Sequence, residues 1–157
     1  MKPATSKGEN FASSLYLLTA NYSTLNDDNK SISFIVKCRL ENEMMEAIET
    51  EFNVFSRETQ FYKVIANEME KLLRSINDST DFATKLIYCD DRMIVLENLK
   101  ESGYGIEDVK VGLEKEQVSM ILEKLAKFHA CSMVLYDKVV YFCFLVFALS
   151  KFQLYVK

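Results

Sequence analysis

Several residue types are scarce in this sequence, and each scarcity excludes something. A single histidine rules out a Cys2His2 or His-rich metal centre. One proline and four glycines in 157 residues rule out collagen-like and Pro/Gly low-complexity chains. The four cysteines, Cys38, Cys89, Cys131 and Cys143, form no C-x-x-C pair and read as reduced thiols of a cytoplasmic protein. Residues 1–11 hold no apolar run of the signal-peptide kind. The net charge of −4 offers no basic excess, so nothing argues for nucleic acid as a partner. The N-x-S matches at Asn21, Asn29 and Asn77 are read as chance.

What is present is material for a core. Hydrophobic residues make up 49% of the chain, enough for one domain, marginal for two, and too many for whole-chain disorder. Charge is uneven: residues 41–70 carry eight acidic and two basic side chains, the pattern of solvated helix faces.

Periodicity divides the chain. Residues 12–22 alternate, with Leu15 and Leu17 on one face and Tyr16 and Leu18 on the other, which predicts a strand. Residues 23–30 are polar and predict a hairpin loop, and residues 32–38 predict a second strand. Across residues 43–76 the apolar positions recur at three and four, through Met44, Ile48, Phe52 and Phe55, then Tyr62, Ile65, Met69 and Leu73. That spacing predicts two helices. Short strands are expected at 83–89 and 93–96, joined by a turn at Asp90 and Asp91. After a glycine-bearing loop, residues 114–133 predict an amphipathic helix whose packed stripe is Val118, Ile121, Leu122, Leu125 and His129. Strands joined by hairpins, with helices inserted between them, make an α+β fold with an antiparallel sheet.

Four landmarks then fall in order. Residues 8–13 read Gly-Glu-Asn-Phe-Ala-Ser, and Lys37 ends the strand Ser-Phe-Ile-Val-Lys at 33–37. Glu58 lies on the first helical stretch, and Val-Leu-Glu-Asn-Leu at 95–99 ends the last strand. With the helical phrase at 122–135, this order resembles the ecdysteroid kinase-like family (the CHK kinase-like domain), relatives of choline kinases and aminoglycoside phosphotransferases, over residues 2–136. The resemblance implies a kinase-like small, ATP-binding lobe at 1–99. It implies a linker and the first helix of an incomplete large lobe at 100–137, then an apolar tail of uncertain origin at 138–157. It also implies a nucleotide site: Gly8, Glu9 and Asn10 in a phosphate-cradling loop, Lys37 on phosphate oxygens, Glu58 holding that lysine, and Glu97 and Leu99 flanking backbone that meets adenine. ATP and Mg²⁺ are the implied cofactors, and a hydroxyl of a steroid-like or other lipophilic small molecule the implied acceptor.

The catalytic half of such a kinase is not visible in these residues. Phosphoryl transfer needs a carboxylate for the attacking hydroxyl and Asp and Asn ligands for Mg²⁺. In the resembled family these follow the helix at 114–133, in an H-G-D-x-x-x-x-N type loop and a later Asp. His129 has Cys131 where such a loop needs Asp, and Asp81-Phe82-Ala83 precedes the last strands, where a metal motif does not belong. No catalytic or metal-binding residue is therefore assigned. The chain reads as a fragment of a longer kinase, inactive alone. The alternative is a non-catalytic module that binds nucleotide or a partner. Residues 139–149 form an unbroken apolar run, shorter than the roughly 20 residues of a spanning helix, so a membrane tether is the weakest reading. Since nothing in the resembled fold asks for that run, it is read as the product of a misassigned gene end.

Overall fold

The computed structural model describes residues 2–4, 13–25, 27–105 and 110–152, with residues 27, 28 and 139–152 in backbone only. The strands are β1 (Lys2–Pro3), β2 (Ser13–Thr24), β3 (Asp27–Arg39), β4 (Leu86–Cys89) and β5 (Met93–Glu97). Every neighbouring pair is antiparallel, in the order β1-β2-β3-β5-β4. The long pair β2–β3 runs from Ser13↔Arg39 to Thr24↔Asp27. The hairpin loop is thus shorter than the polar composition of residues 23–30 predicts. Backbone pairing continues through Asn21↔Ser31 and Tyr22↔Lys30. Polar side chains do not oppose it there, because both faces of this end of the ribbon are exposed. Asn29 takes a left-handed φ of 66°, which asparagine tolerates better than most residues.

Between β3 and β4 lie α1 (Glu43–Phe52), α2 (Val54–Gln60), a wide π turn at Phe61–Ile65 and α3 (Ala66–Arg74). The Asn42 side chain caps α1 by accepting from the Met45 N–H at 3.0 Å. Asn53, at φ 51°, ends α1 in the left-handed region, and its N–H donates to the Glu49 carbonyl. The two predicted helices are therefore three, divided first at an asparagine that tolerates positive φ and then by a π turn. Strand β4 begins at Leu86, three residues later than the apolar run at 83–89 suggests. Asp90 organises the turn before β5: its carboxylate accepts from the Arg92 N–H at 2.9 Å and the Met93 N–H at 2.8 Å. Those two bonds, ahead of a weaker opposing effect of burial, hold its pKa below the ordinary value. A 3-10 turn (Leu99–Ser102) follows β5, and α4 (Lys115–Phe152) closes the described chain.

The chain forms two compact units. One is Met1–Ile65 with Ala83–Asp108. Its core is Phe55, Ile94 and Leu96, with Tyr62, Leu86 and Cys89 packed around them, and Ile94 is fully buried at 0% exposure.

The other unit is Ala66–Phe82 with Val109–Lys157. Met69, Leu73 and Cys131 form its core, and Phe82 meets Phe128 edge to face at 5.5 Å between ring centres. Beside this core the Lys127 ammonium reaches the Asp78 carboxylate at 2.9 Å and the Thr80 hydroxyl at 3.0 Å. Arg74 bonds the Asp81 carboxylate and donates to the Asp78 carbonyl at 3.0 Å.

Helix α4 departs from the sequence expectation twice. It runs past residue 133 to Phe152, consistent with the absence of glycine or proline after Gly112. The face it turns to α3 is also not the predicted stripe. Phe128, Cys131 and Leu135 pack inward at spacings of three and four, while Val118, Ile121, Leu122, Leu125 and His129 are exposed. His129 is not a packed core residue, and its ring contact is with the adjacent Phe128 at 6.1 Å. The reason is geometric. At 3.6 residues per turn two apolar stripes lie about 100° apart around this helix, and α3 is short enough to cover only one. Among the described residues no helix is long and apolar enough to cross a membrane.

Candidate functional site

The site begins with strand alternation. Successive side chains of β3 point to opposite faces, so Ile35, Lys37 and Arg39 share one face. Register places Ile35 opposite Leu96 and Lys37 opposite Ile94. Lys37 therefore projects from the same sheet face as the Ile94 and Leu96 core, at its margin.

Helix α2 brings the counter-charge. Phe55 packs on Ile94 and Leu96, and Glu58, three residues on, lies on the same helix face. The Lys37 Nζ donates to Glu58 Oε1 at 2.7 Å and to Oε2 at 2.6 Å. Both side chains keep about a quarter of their surface exposed, 24% and 27%. Tyr62, one turn beyond Glu58, is half-buried. Burial first, and the Glu58 charge second, raise its pKa above the ordinary tyrosine value.

Glu49 fixes where α2 starts. Its carboxylate accepts from the Phe55 N–H at 2.7 Å, the Ser56 N–H at 3.0 Å and the Ser56 hydroxyl at 2.8 Å. Burial works against its charge, but the three hydrogen bonds and the Arg39 charge outweigh it and lower the pKa. A small cavity lies between β3, α1 and α2. Lys37, Arg39, Glu49 and Glu58 line it together with Met45, Ile48, Val54 and Phe55.

The segment after β5 forms a second polar cluster. The buried Asn98 donates from its side chain to the Ser33 hydroxyl at 2.7 Å, and Ser33 donates to Glu101 Oε1 at 2.5 Å. The Asn98 side-chain oxygen accepts from the Lys100 N–H at 3.3 Å and caps the 3-10 turn. Glu97 is half-buried, with its N–H on the Lys85 carbonyl at 3.0 Å and its carboxylate accepting from the Ser102 hydroxyl at 3.2 Å. Leu99 opens the 3-10 turn instead of continuing the extended strand, and its carbonyl accepts from the Tyr104 N–H at 3.1 Å.

Of the residues singled out from sequence, Lys37 and Glu58 are brought into direct contact. Glu97 and Leu99 stand at the end of β5, and Gly8, Glu9 and Asn10 lie outside the described residues. Sequence reasoning missed Arg39, Glu49, Ser33 and Asn98. Alternation along β3 contained a signal for Arg39, two residues beyond Lys37. The bonds of Glu49 and Ser33 depend on folding and had none. Among the described residues no group of three or more His, Cys, Asp or Glu is placed to hold a metal ion. The Glu58 carboxylate is already committed to Lys37, so this site does not supply a Mg²⁺ ligand set.

A five-stranded antiparallel sheet with helices inserted after its third strand, and a strand lysine held by a helix glutamate, is the α+β architecture of a kinase-like small lobe. Residues 7–144 match the model of the ecdysteroid kinase-like family, and the chain belongs to that family. It is thereby a member of a kinase-like phosphotransferase group. No curated protein and no solved structure matches the chain.

Proposed function

We propose that this chain is the nucleotide-binding part of an ATP-dependent small-molecule kinase. Residues 1–99 act as the ATP-binding lobe, and residues 100–137 as the link to, and first helix of, a larger lobe. The observation that carries the reading is the two-oxygen contact of Lys37 with Glu58 inside a family of kinase-like proteins. A lysine held in this way presents its remaining donor to phosphate oxygens without leaving the carboxylate. The segment from Glu97 to Leu99 is the counterpart for adenine, with Asn98 and Ser33 setting its path.

The acceptor is a hydroxyl of a steroid-like or other lipophilic small molecule, and ATP with Mg²⁺ the phosphoryl source. No step is assigned to Mg²⁺, because the Lys37–Glu58 site offers it no ligand set. The chain alone binds nucleotide without transferring phosphate, since it contains no His-Gly-Asp catalytic loop. The test is calorimetric titration with ATP, together with an ATP-turnover assay. Expected are ATP binding that Lys37→Met abolishes and no turnover. Turnover lost in Lys37→Met would show a complete enzyme, and absence of any ATP binding would leave the partner-binding module as the better reading.

A further inference from the structure

We propose that Arg39 is a second phosphate-contacting cation beside Lys37, serving the distal phosphates of the nucleotide. This inference rests on the nucleotide-binding reading above.

Arg39 stands two residues beyond Lys37 on the same face of β3, so the two side chains leave the strand about 6.6 Å apart. That separation is of the order of the length of a polyphosphate chain. Both residues line the same cavity. Their charges are compensated differently. Lys37 is bonded to both Glu58 oxygens. Among the described residues the Arg39 guanidinium makes no hydrogen bond and no ion pair, although the residue is partly buried. Glu49 is near enough to feel the Arg39 charge, but its carboxylate is occupied by Phe55 N–H, Ser56 N–H and Ser56 hydroxyl. A partly buried guanidinium with five free donors, next to a lysine already matched, is a site for an anion with planar pairs of oxygens. Arg39 is held at one end of the sheet by its backbone: its N–H donates to the Arg92 carbonyl at 2.8 Å, and it pairs with Ser13 at the start of β2.

The experiment is calorimetric titration of the full chain and of Arg39→Gln with ATP, ADP, AMP and adenosine. A phosphate contact predicts that Arg39→Gln weakens ATP about tenfold or more, weakens AMP much less and leaves adenosine unchanged. Equal loss for ATP and adenosine would mark a structural role and overturn the proposal, as would unchanged ATP affinity. If Arg39→Gln fails to fold, Arg39→Met serves, since its side chain suits the Met45 and Ile48 lining, and the same pattern is required of it. A wild-type chain that binds no ATP overturns the nucleotide reading itself. That failure is distinct from the failure of Arg39, in which the wild type binds and the variant matches it.

Discussion

The Lys37 ammonium touches both oxygens of the Glu58 carboxylate across 21 residues of sequence, one on a central strand and one on a helix seated by Phe55. Each partner keeps only about a quarter of its surface exposed, so the cost of withdrawing both charges from water offsets much of their attraction and the pair's net contribution to stability is small. Its use is positional. Glu58→Gln leaves Lys37 a neutral acceptor in place of its counter-charge and is expected to lower the melting temperature modestly while weakening ATP binding severalfold, and Lys37→Met to abolish binding. A large drop in melting temperature with intact ATP affinity would show that the pair is structural instead.

Ile94 is fully buried and packs with Phe55 and Leu96 beneath that pair. Ile94→Ala should cost about 2–5 kcal/mol, as large-to-small core changes do. Urea unfolding of the two proteins checks it. Because Lys37 is opposite Ile94 in register, the variant should also lose ATP affinity.

Glu49 does the work of a helix cap from the preceding helix. Glu49→Ala leaves the Phe55 and Ser56 N–H groups without that partner and should destabilise the first unit by about 1–2 kcal/mol. Glu49→Asp has the charge but a shorter reach and should recover only part of the loss. Thermal unfolding monitored by circular dichroism would show both effects.

The second unit should respond to pH through Lys127 and Asp78. The Lys127 hydrogen bond first, then those from Thr80, pull the Asp78 pKa well below the usual carboxylate range. The hydrogen bond to Asp78 first, and that to Glu123 second, raise the Lys127 pKa. A carboxylate with a depressed native pKa stabilises fully above its unfolded value, near 4, and loses that contribution as pH falls toward the native value. A lysine with a raised pKa stabilises fully below its unfolded value, near 10.4, and loses the contribution as pH rises through the native one. The pair therefore contributes throughout the neutral range. Lys127→Met should flatten the acid limb of the stability profile below about pH 4. An unchanged acid limb would show that Asp78 is not what Lys127 holds.

Which face of α4 is packed has a direct test. Leu122 is more than half exposed, at 57%, whereas Phe128 packs on Phe82 and on the Met69–Leu73–Cys131 core. Leu122→Lys should change stability by less than about 0.5 kcal/mol, and Phe128→Ala should cost about 3 kcal/mol. The reverse order would restore the stripe that the sequence suggests.

Local pattern was enough for much of this protein. Alternation at Leu15, Tyr16, Leu17 and Leu18 carried β2, and the recurrence from Met44 to Leu73 carried the helical stretch. The order of Lys37, Glu58 and the segment at 95–99 carried the family, because motif order is a property of the chain and survives without coordinates. The length of the β2–β3 ribbon was hidden, since backbone pairing between Tyr22 and Lys30 does not depend on apolar side chains. The break at Asn53 was hidden too, because asparagine is ambiguous between a helix position and a left-handed terminus.

Periodicity and composition determined that the chain is α+β, that it is rich enough in apolar residues for a core, and that Lys37 lies on a strand, which the structure extends two residues further to Arg39. Only the tertiary structure decided which of two apolar stripes on α4 is buried, because either satisfies the helical period and only contact with α3 selects one. It also decided that Lys37 is matched by Glu58 while, among the described residues, the Arg39 guanidinium makes no hydrogen bond or ion pair. Both are cations on one face of one strand. What separates them is where the Phe55 anchor and the Glu49 cap hold α2, and that depends on contacts between residues far apart in sequence.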